Sequence, residues 1–329
     1  MECRILGRTG LKVSQIGFGA WGIGGGPWGV VDDIEASKAL RRAFELGINF
    51  YDTARIYGRG DVRNRDGHSE KLIGKFLREV GRDNAIIASK VPPQNYQWPA
   101  SPNAPISEVF PKGWIIRKVD ESLTSLGVET IDLMQFHVWR DSFAESGEWQ
   151  EAIQGLTGSG KVRFWGLSLN DYQPENCQRT IETGLISTVQ LIFNIFHQKP
   201  IEMLPFFSRH KLGVIARVPL DEGGLSGAIN ENTVFAEDDF RRFYFTAERK
   251  SELVKRVSHL TELLGPEASS VPELALRFLL SFDEVSVVIP GMRKVNHVQS
   301  NAATGDGRKL SKNLVNELKS SVWERNFYS

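Results

Sequence analysis

The chain has 329 residues, 41% hydrophobic and 24% charged, which suits a water-soluble globular protein of two ordinary domains or one large α/β barrel. Lys+Arg and Asp+Glu both number 40, and no dense Lys/Arg run occurs, so the basic footprint of a nucleic-acid binder is missing. Cys3 and Cys177 lack metal-ligand spacing, the N-terminus lacks a signal-like apolar core, and no apolar run approaches the ~18 residues of a membrane span; a cytoplasmic protein with reduced thiols is expected.

Glu2–Leu6 and Leu11–Ser14 flank the turn-like Gly7-Arg8-Thr9-Gly10, which predicts a β-hairpin outside the pattern that follows. Apolar strand candidates then fall near residues 15–19, 47–52, 84–90, 130–136, 162–168, 186–190, 212–216 and 285–289. Amphipathic stretches separate most of them. Asp33 to Leu46 sets Ala36, Leu40, Ala43 and Phe44 on one face before Gly47 ends the helix; 114–127 and Val271–Leu280 repeat the pattern, and a last helix is expected near 310–322. Eight strands alternating with helices imply parallel pairing by right-handed crossovers and predict an α/β fold, a (β/α)8 barrel, with the hairpin able to plug its bottom. The whole chain, 1–329, reads as a single domain, with long loops at 91–112 and 221–250 expected to shape the barrel mouth.

Gly17-Phe18-Gly19-Ala20-Trp21-Gly22 satisfies the dinucleotide fingerprint G-x-G-x-x-G directly after a strand. The fingerprint works only if a helix opens inside it, and Ile23-Gly24-Gly25-Gly26-Pro27 cannot carry one. The segment therefore reads as a Gly-rich first barrel loop whose backbone lies close to a ligand, with Trp21 as a wall.

Four ionisable residues stand where such strands end. Asp52 closes the second strand, Tyr57 follows in its loop, Lys90 closes the third and His137 the fourth. At the carboxyl mouth of a barrel these ends converge. An alkoxide formed from a carbonyl needs a proton. A tyrosine of pKa about 10 supplies it poorly unless an ammonium favours the phenolate and a carboxylate fixes the ammonium. Tyr57 is thus the candidate general acid, Lys90 its tuner, Asp52 the partner of Lys90, and a neutral His137 the donor to the carbonyl oxygen. Taken singly, each has a plainer reading: a turn cap, a buried histidine, a salt bridge, or a Schiff-base lysine.

The motifs Asp-Thr-Ala-x-x-Tyr-Gly (52–58), Gly-His-Ser-Glu-Lys-Leu-Ile-Gly (67–74), Ala-Ser-Lys (88–90) and Ile-Asp-Leu-Met-Gln-Phe-His (131–137), in this order, resemble the aldo-keto reductase family over nearly the full chain. The resemblance implies NADP(H)-dependent interconversion of an aldehyde or ketone with its alcohol, NAD(H) being less expected. It implies Ser168, Asn170 and Gln190 around the nicotinamide carboxamide, though Asn170 stands one residue later than is common. It places Pro219, Leu220, Gly223 and Ser226 beside the pyrophosphate, and Gly291, Arg293, His297 and Asn301 at the adenosine phosphate, with Gly22 in the first loop. Arg217 occupies the position of an aromatic that stacks on the nicotinamide in other members; a guanidinium can stack too, or meet an anion. Trp21, Trp98 and Trp139 are candidate walls for the substrate, a small aryl, sugar or other carbonyl. Two competing readings are a nucleotide-binding regulatory subunit, as the potassium-channel β subunits of the family show, and a lyase using Lys90.

Overall fold

The computed structural model describes residues 1–169 and 172–323. Ten strands form two sheets. β1 (Cys3–Ile5) and β2 (Lys12–Ser14) are an antiparallel hairpin. The other eight pair in parallel and in chain order: β3 (Phe18–Gly19), β4 (Phe50–Asp52), β5 (Ile86–Val91), β6 (Ile131–Phe136), β7 (Val162–Ser168), β8 (Thr188–Ile192), β9 (Gly213–Arg217) and β10 (Val285–Val288). Parallel bridges Ile16–Val288 and Gly19–Gly291 join the last strand to the first and close the (β/α)8 barrel. Gly19 makes that closure possible: a Cβ there would stand 2.8 Å from the carbonyl oxygens of both Ile289 and Pro290. Gly17 and Gly19 of the apparent dinucleotide fingerprint therefore serve barrel packing; the fingerprint ends in a single 3-10 turn, Trp21–Ile23, and the first α-helix begins only at Asp33.

Helices lie outside the sheet because each has one apolar face. Asp33–Glu45 opens with the Asp32 carboxylate accepting from the backbone N–H groups of Ile34 and Glu35, and buries Ala36, Ala39, Leu40 and Ala43. Lys112–Leu126 ends at Gly127 in the left-handed conformation, and Val271–Leu280 spans the expected residues. The final helix is shorter than its apolar pattern, Lys312–Leu318 followed by one tighter turn. The expected mouth loop 221–250 also ends early, since Ala247 already starts a helix capped by Thr246.

The core has two compartments. The larger lies between sheet and helices. The smaller fills the barrel floor, where Leu6, Leu11 and Val13 of the hairpin pack against Phe50, Ala88, Leu133, Ile215 and Val287. The hairpin is the plug. Because strand side chains alternate with period two, the next inward layer toward the carboxyl end is Asp52, Lys90, Gln135, Arg217 and Ile289. An apolar floor thus gives way within two residues to an ionisable layer.

Candidate active site

Lys90 is the hub. Its side chain is buried, and its three ammonium protons have three acceptors: Asp52 Oδ2 at 2.6 Å, the Thr53 carbonyl at 2.8 Å and Tyr57 Oη at 3.3 Å. Burial pushes Lys90 below its usual value, and the Asp52 carboxylate pulls the other way to hold the proton on. Asp52 Oδ1 in turn accepts from Gln190 Nε2 at 2.7 Å and Gln135 Nε2 at 3.3 Å, and Gln190 Nε2 also reaches Gln135 Oε1 at 3.2 Å. The carboxylate is thereby fixed from three strands.

The loop carrying Tyr57 is equally well held. Tyr57 N–H donates to the Ala54 carbonyl, and Ser69 N–H donates to that of Tyr57, both at 2.9 Å. Ser69 Oγ donates to the Ala20 carbonyl and contacts Thr53 Oγ1. Above the phenol, Trp21 stacks on Tyr57 at 5.9 Å and on Phe240 at 5.2 Å. His137 lies edge-on to Tyr57 at 5.7 Å and to Trp98 at 5.9 Å. Burial first, then the charges of Lys90, Arg217 and Arg65, hold its imidazole well below the ordinary histidine range, so it is neutral at pH 7. Its Nδ1 is buried without a protein partner.

These residues open onto a cavity of about 780 Å³ at the carboxyl mouth. Its lining brings together Trp21, Trp98, Tyr57 and His137 with Ser168, Gln190 and Arg217, the loop residues Pro219, Leu220, Gly223 and Ser226, and Gly22, Gly291, Arg293, His297 and Asn301. Gly22 lies against Arg293, where a Cβ would stand 2.9 Å from its Cγ. The expected groups thus come together from all eight strand ends. Asn170 lies outside the described residues. Several details differ from the simplest expectation. Gln190 spends its amide N–H on Asp52, leaving Oε1 with a long 3.4 Å contact from Ser168 Oγ. Ser226 gives its proton to the Gly223 carbonyl within its own loop. Arg217 donates to the Leu169 carbonyl at 3.0 Å.

Trp139 is a correction. It is 1% exposed, donates Nε1–H to Thr180 Oγ1 at 2.8 Å and packs among Phe110, Phe136, Phe143 and Trp149. Past the end of β6 its side chain turns outward under the helices, so it supports the strand and does not line the mouth.

Other residues of the site had escaped the sequence reading. Gln135 was legible as an inward position of the fourth barrel strand, paired with Lys90 in register. Glu222 sits in the glycine loop with one carboxyl oxygen buried and unpartnered; burial first and Asp221 second push its pKa up to about 8. Its backbone is left-handed (φ 53°), a geometry no local motif announces. Trp28 and Arg241 form a clasp: Arg241 lies over the Trp28 ring at 4.9 Å, Phe240 N–H donates to the Pro27 carbonyl, and Arg293 Nη1 donates to the Trp28 carbonyl at 3.1 Å. No group of three or more metal-binding side chains exists among the described residues, and no described helix is long and apolar enough to cross a membrane.

The profile of the Aldo/keto reductase family matches residues 15–322. The chain belongs to that family. Aldo-keto reductase YhdN of Bacillus subtilis (strain 168) is 30% identical over 305 residues, covering 91% of this chain and 87% of its own. A probable voltage-gated potassium channel subunit beta of Arabidopsis thaliana is 26% identical over 93% of this chain and 92% of its own. Among solved structures, the glycerol dehydrogenase AKR11B4 from Gluconobacter oxydans superposes with a TM-score of 0.78 at 28% identity, covering 97% of this chain and 94% of that one. An aldo/keto reductase is an oxidoreductase acting on small molecules, and members of the family bind nicotinamide cofactors.

Proposed function

We propose that this aldo/keto reductase interconverts an aldehyde or ketone and its alcohol, with Tyr57 as proton donor. The observation that carries the reading is the ammonium of Lys90, which joins Asp52 to the phenol of Tyr57 in a buried line. Tyr57 passes its Oη proton to the oxygen of the forming alkoxide. Lys90 stabilises the phenolate left behind, and Asp52, pinned by Gln190 and Gln135, keeps Lys90 aimed. Neutral His137 donates N–H to the same carbonyl oxygen and fixes its position. When bound, a nicotinamide dinucleotide supplies the hydride.

The cavity suits such a cofactor chemically. Glycines at 22, 223 and 291 allow close approach, and Arg293 with Lys294 offers cationic charge in the same cavity. Arg293 is half-buried, and that supports recognition of a ribose phosphate, hence NADP(H) over NAD(H). Trp21 and Trp98 are apolar walls for the carbonyl substrate. A Schiff-base role for Lys90 finds less support, because the ammonium is fully engaged and has no lone pair to offer.

The test is the rate of NADPH oxidation over aryl aldehydes, sugars and ketones, with borohydride added in a parallel sample. Turnover that needs NADPH, with no substrate trapped on Lys90, is expected. Tight NADPH binding without turnover would favour the regulatory reading that the channel-subunit relative suggests; trapping without cofactor would favour the lyase.

A further inference from the structure

Four arginines flank Tyr57, Arg55 before it and Arg59, Arg63 and Arg65 after it, and Arg63 is exposed to solvent. Arg59 pairs with Asp33 at 2.8 Å, and Arg55, just before Tyr57, pairs with Glu121 at 3.0 Å. Arg65 has no such partner: among the described residues no carboxylate lies within 4.0 Å of its guanidinium. It donates Nη1–H to the Ile56 carbonyl at 3.2 Å, and its Nε–H is buried without an acceptor. The side chain is half-buried and lines the cavity beside Ile56, Val62, Tyr57 and Trp98. It stands close to Gly26, where a Cβ would lie 3.8 Å from its Cζ and Nε. Asp61 acts on it only through space; a guanidinium taken partly out of water without a contacting counter-charge is costly, and a site that keeps one is matched to an anion that arrives with a ligand.

The location decides which ligand. Arg65 lines the cavity with Ile56, Tyr57 and Trp98, and its charge is felt at His137. Arg293 lies instead against Gly22 and donates to the Trp28 carbonyl at 3.1 Å. Lys90 is neutralised by Asp52 at 2.6 Å, so it does not fill the role. Residues 59–66 also lie between the two family motifs 52–58 and 67–74 and belong to neither.

We propose that Arg65 is the anion-recognition group of the substrate site, so that the preferred carbonyl compound carries a carboxylate or phosphate. The inference rests on the carbonyl-reductase reading. The planar fork of Arg65 takes two oxygens of the anion while Tyr57 and His137 hold the carbonyl oxygen.

The experiment compares kcat/KM for two matched pairs, succinic semialdehyde against butanal and glyceraldehyde 3-phosphate against glyceraldehyde, in wild type, Arg65→Gln and Arg65→Lys. Wild type is expected to prefer the anionic member of at least one pair, and the pair that shows it identifies carboxylate or phosphate. In Arg65→Gln the anionic-to-neutral ratio falls by about 10- to 100-fold, the worth of a charge-assisted hydrogen bond, mainly through KM. Arg65→Lys retains part of it. A wild-type ratio near unity in both pairs, or a ratio unchanged in Arg65→Gln, overturns the proposal while leaving the reductase reading intact. A weakened NADPH affinity in Arg65→Gln with unchanged selectivity also overturns it and gives Arg65 to the cofactor. Absence of turnover with all four aldehydes, in protein that is folded by circular dichroism, removes the reductase reading and this inference with it.

Discussion

Two cavity residues contribute to the pH behaviour of the protein, and they do so in opposite ways. Glu222 is buried, and its pKa is pushed up to about 8, so the folded protein holds a proton that the unfolded chain releases near the ordinary glutamate value. Stability contributed by that proton is full in acid and is lost as pH rises through about 8, a change on the order of a few kcal/mol. Thermal unfolding of wild type should therefore move to lower temperature from about pH 5 to about pH 8 and level off above that, and Glu222→Gln should flatten the decline. Equal slopes in the two proteins would contradict the burial of a protonated acid. His137 is held neutral by burial and by three nearby cations. A rate profile for carbonyl reduction should then show no ionisation near the usual histidine value. His137→Asn should lower kcat by roughly 100-fold or more if its N–H serves the developing oxyanion; a loss confined to KM would reduce it to a binding group.

Strands and helices were legible because apolar residues recur with period two or at helical spacing, and glycine or a polar cap marks their ends. What failed was direction. Trp139 was expected as a wall of the mouth, but the strand ends at Phe136 and its alternation of faces stops there. The ring instead completes an aromatic cluster with Phe136 and Trp149. Trp139→Ala should cost about 3–5 kcal/mol of stability, and Trp139→Phe should lower the unfolding temperature without changing KM for the carbonyl substrate. A raised KM at unchanged stability would return Trp139 to the mouth. Similarly, the amide of Gln190 was expected to face a ligand, whereas the buried Asp52 carboxylate needs a donor and takes it. Pairing across three strands is a tertiary fact that no local spacing encodes.

The barrel as a whole explains why so much of the site could be read from one sequence. Parallel strands of a closed barrel present their carboxyl ends at one mouth, so residues that end successive strands become neighbours without further information. Asp52, Tyr57, Lys90 and His137 were found in this way. Glu222, Arg65, Trp28 and Arg241 were not, because they sit on loops whose paths depend on left-handed backbone or on contacts between distant segments, such as the Trp28–Asp239 bridge. Arg293 lines the same cavity, and if it meets the ribose phosphate, Arg293→Gln should weaken NADPH binding by about 10- to 100-fold and leave NADH binding unaffected; parallel losses for both dinucleotides would remove the ribose-phosphate assignment.

The proton donor is best tested by steady-state reduction of an accepted aldehyde, followed by NADPH absorbance, in wild type and Tyr57→Phe, with NADPH affinity measured on the same samples. Loss of the phenolic proton should lower kcat by about 100-fold or more while NADPH binds as before. Turnover equal in the two proteins would contradict Tyr57 as the acid and dissolve the role assigned to Lys90.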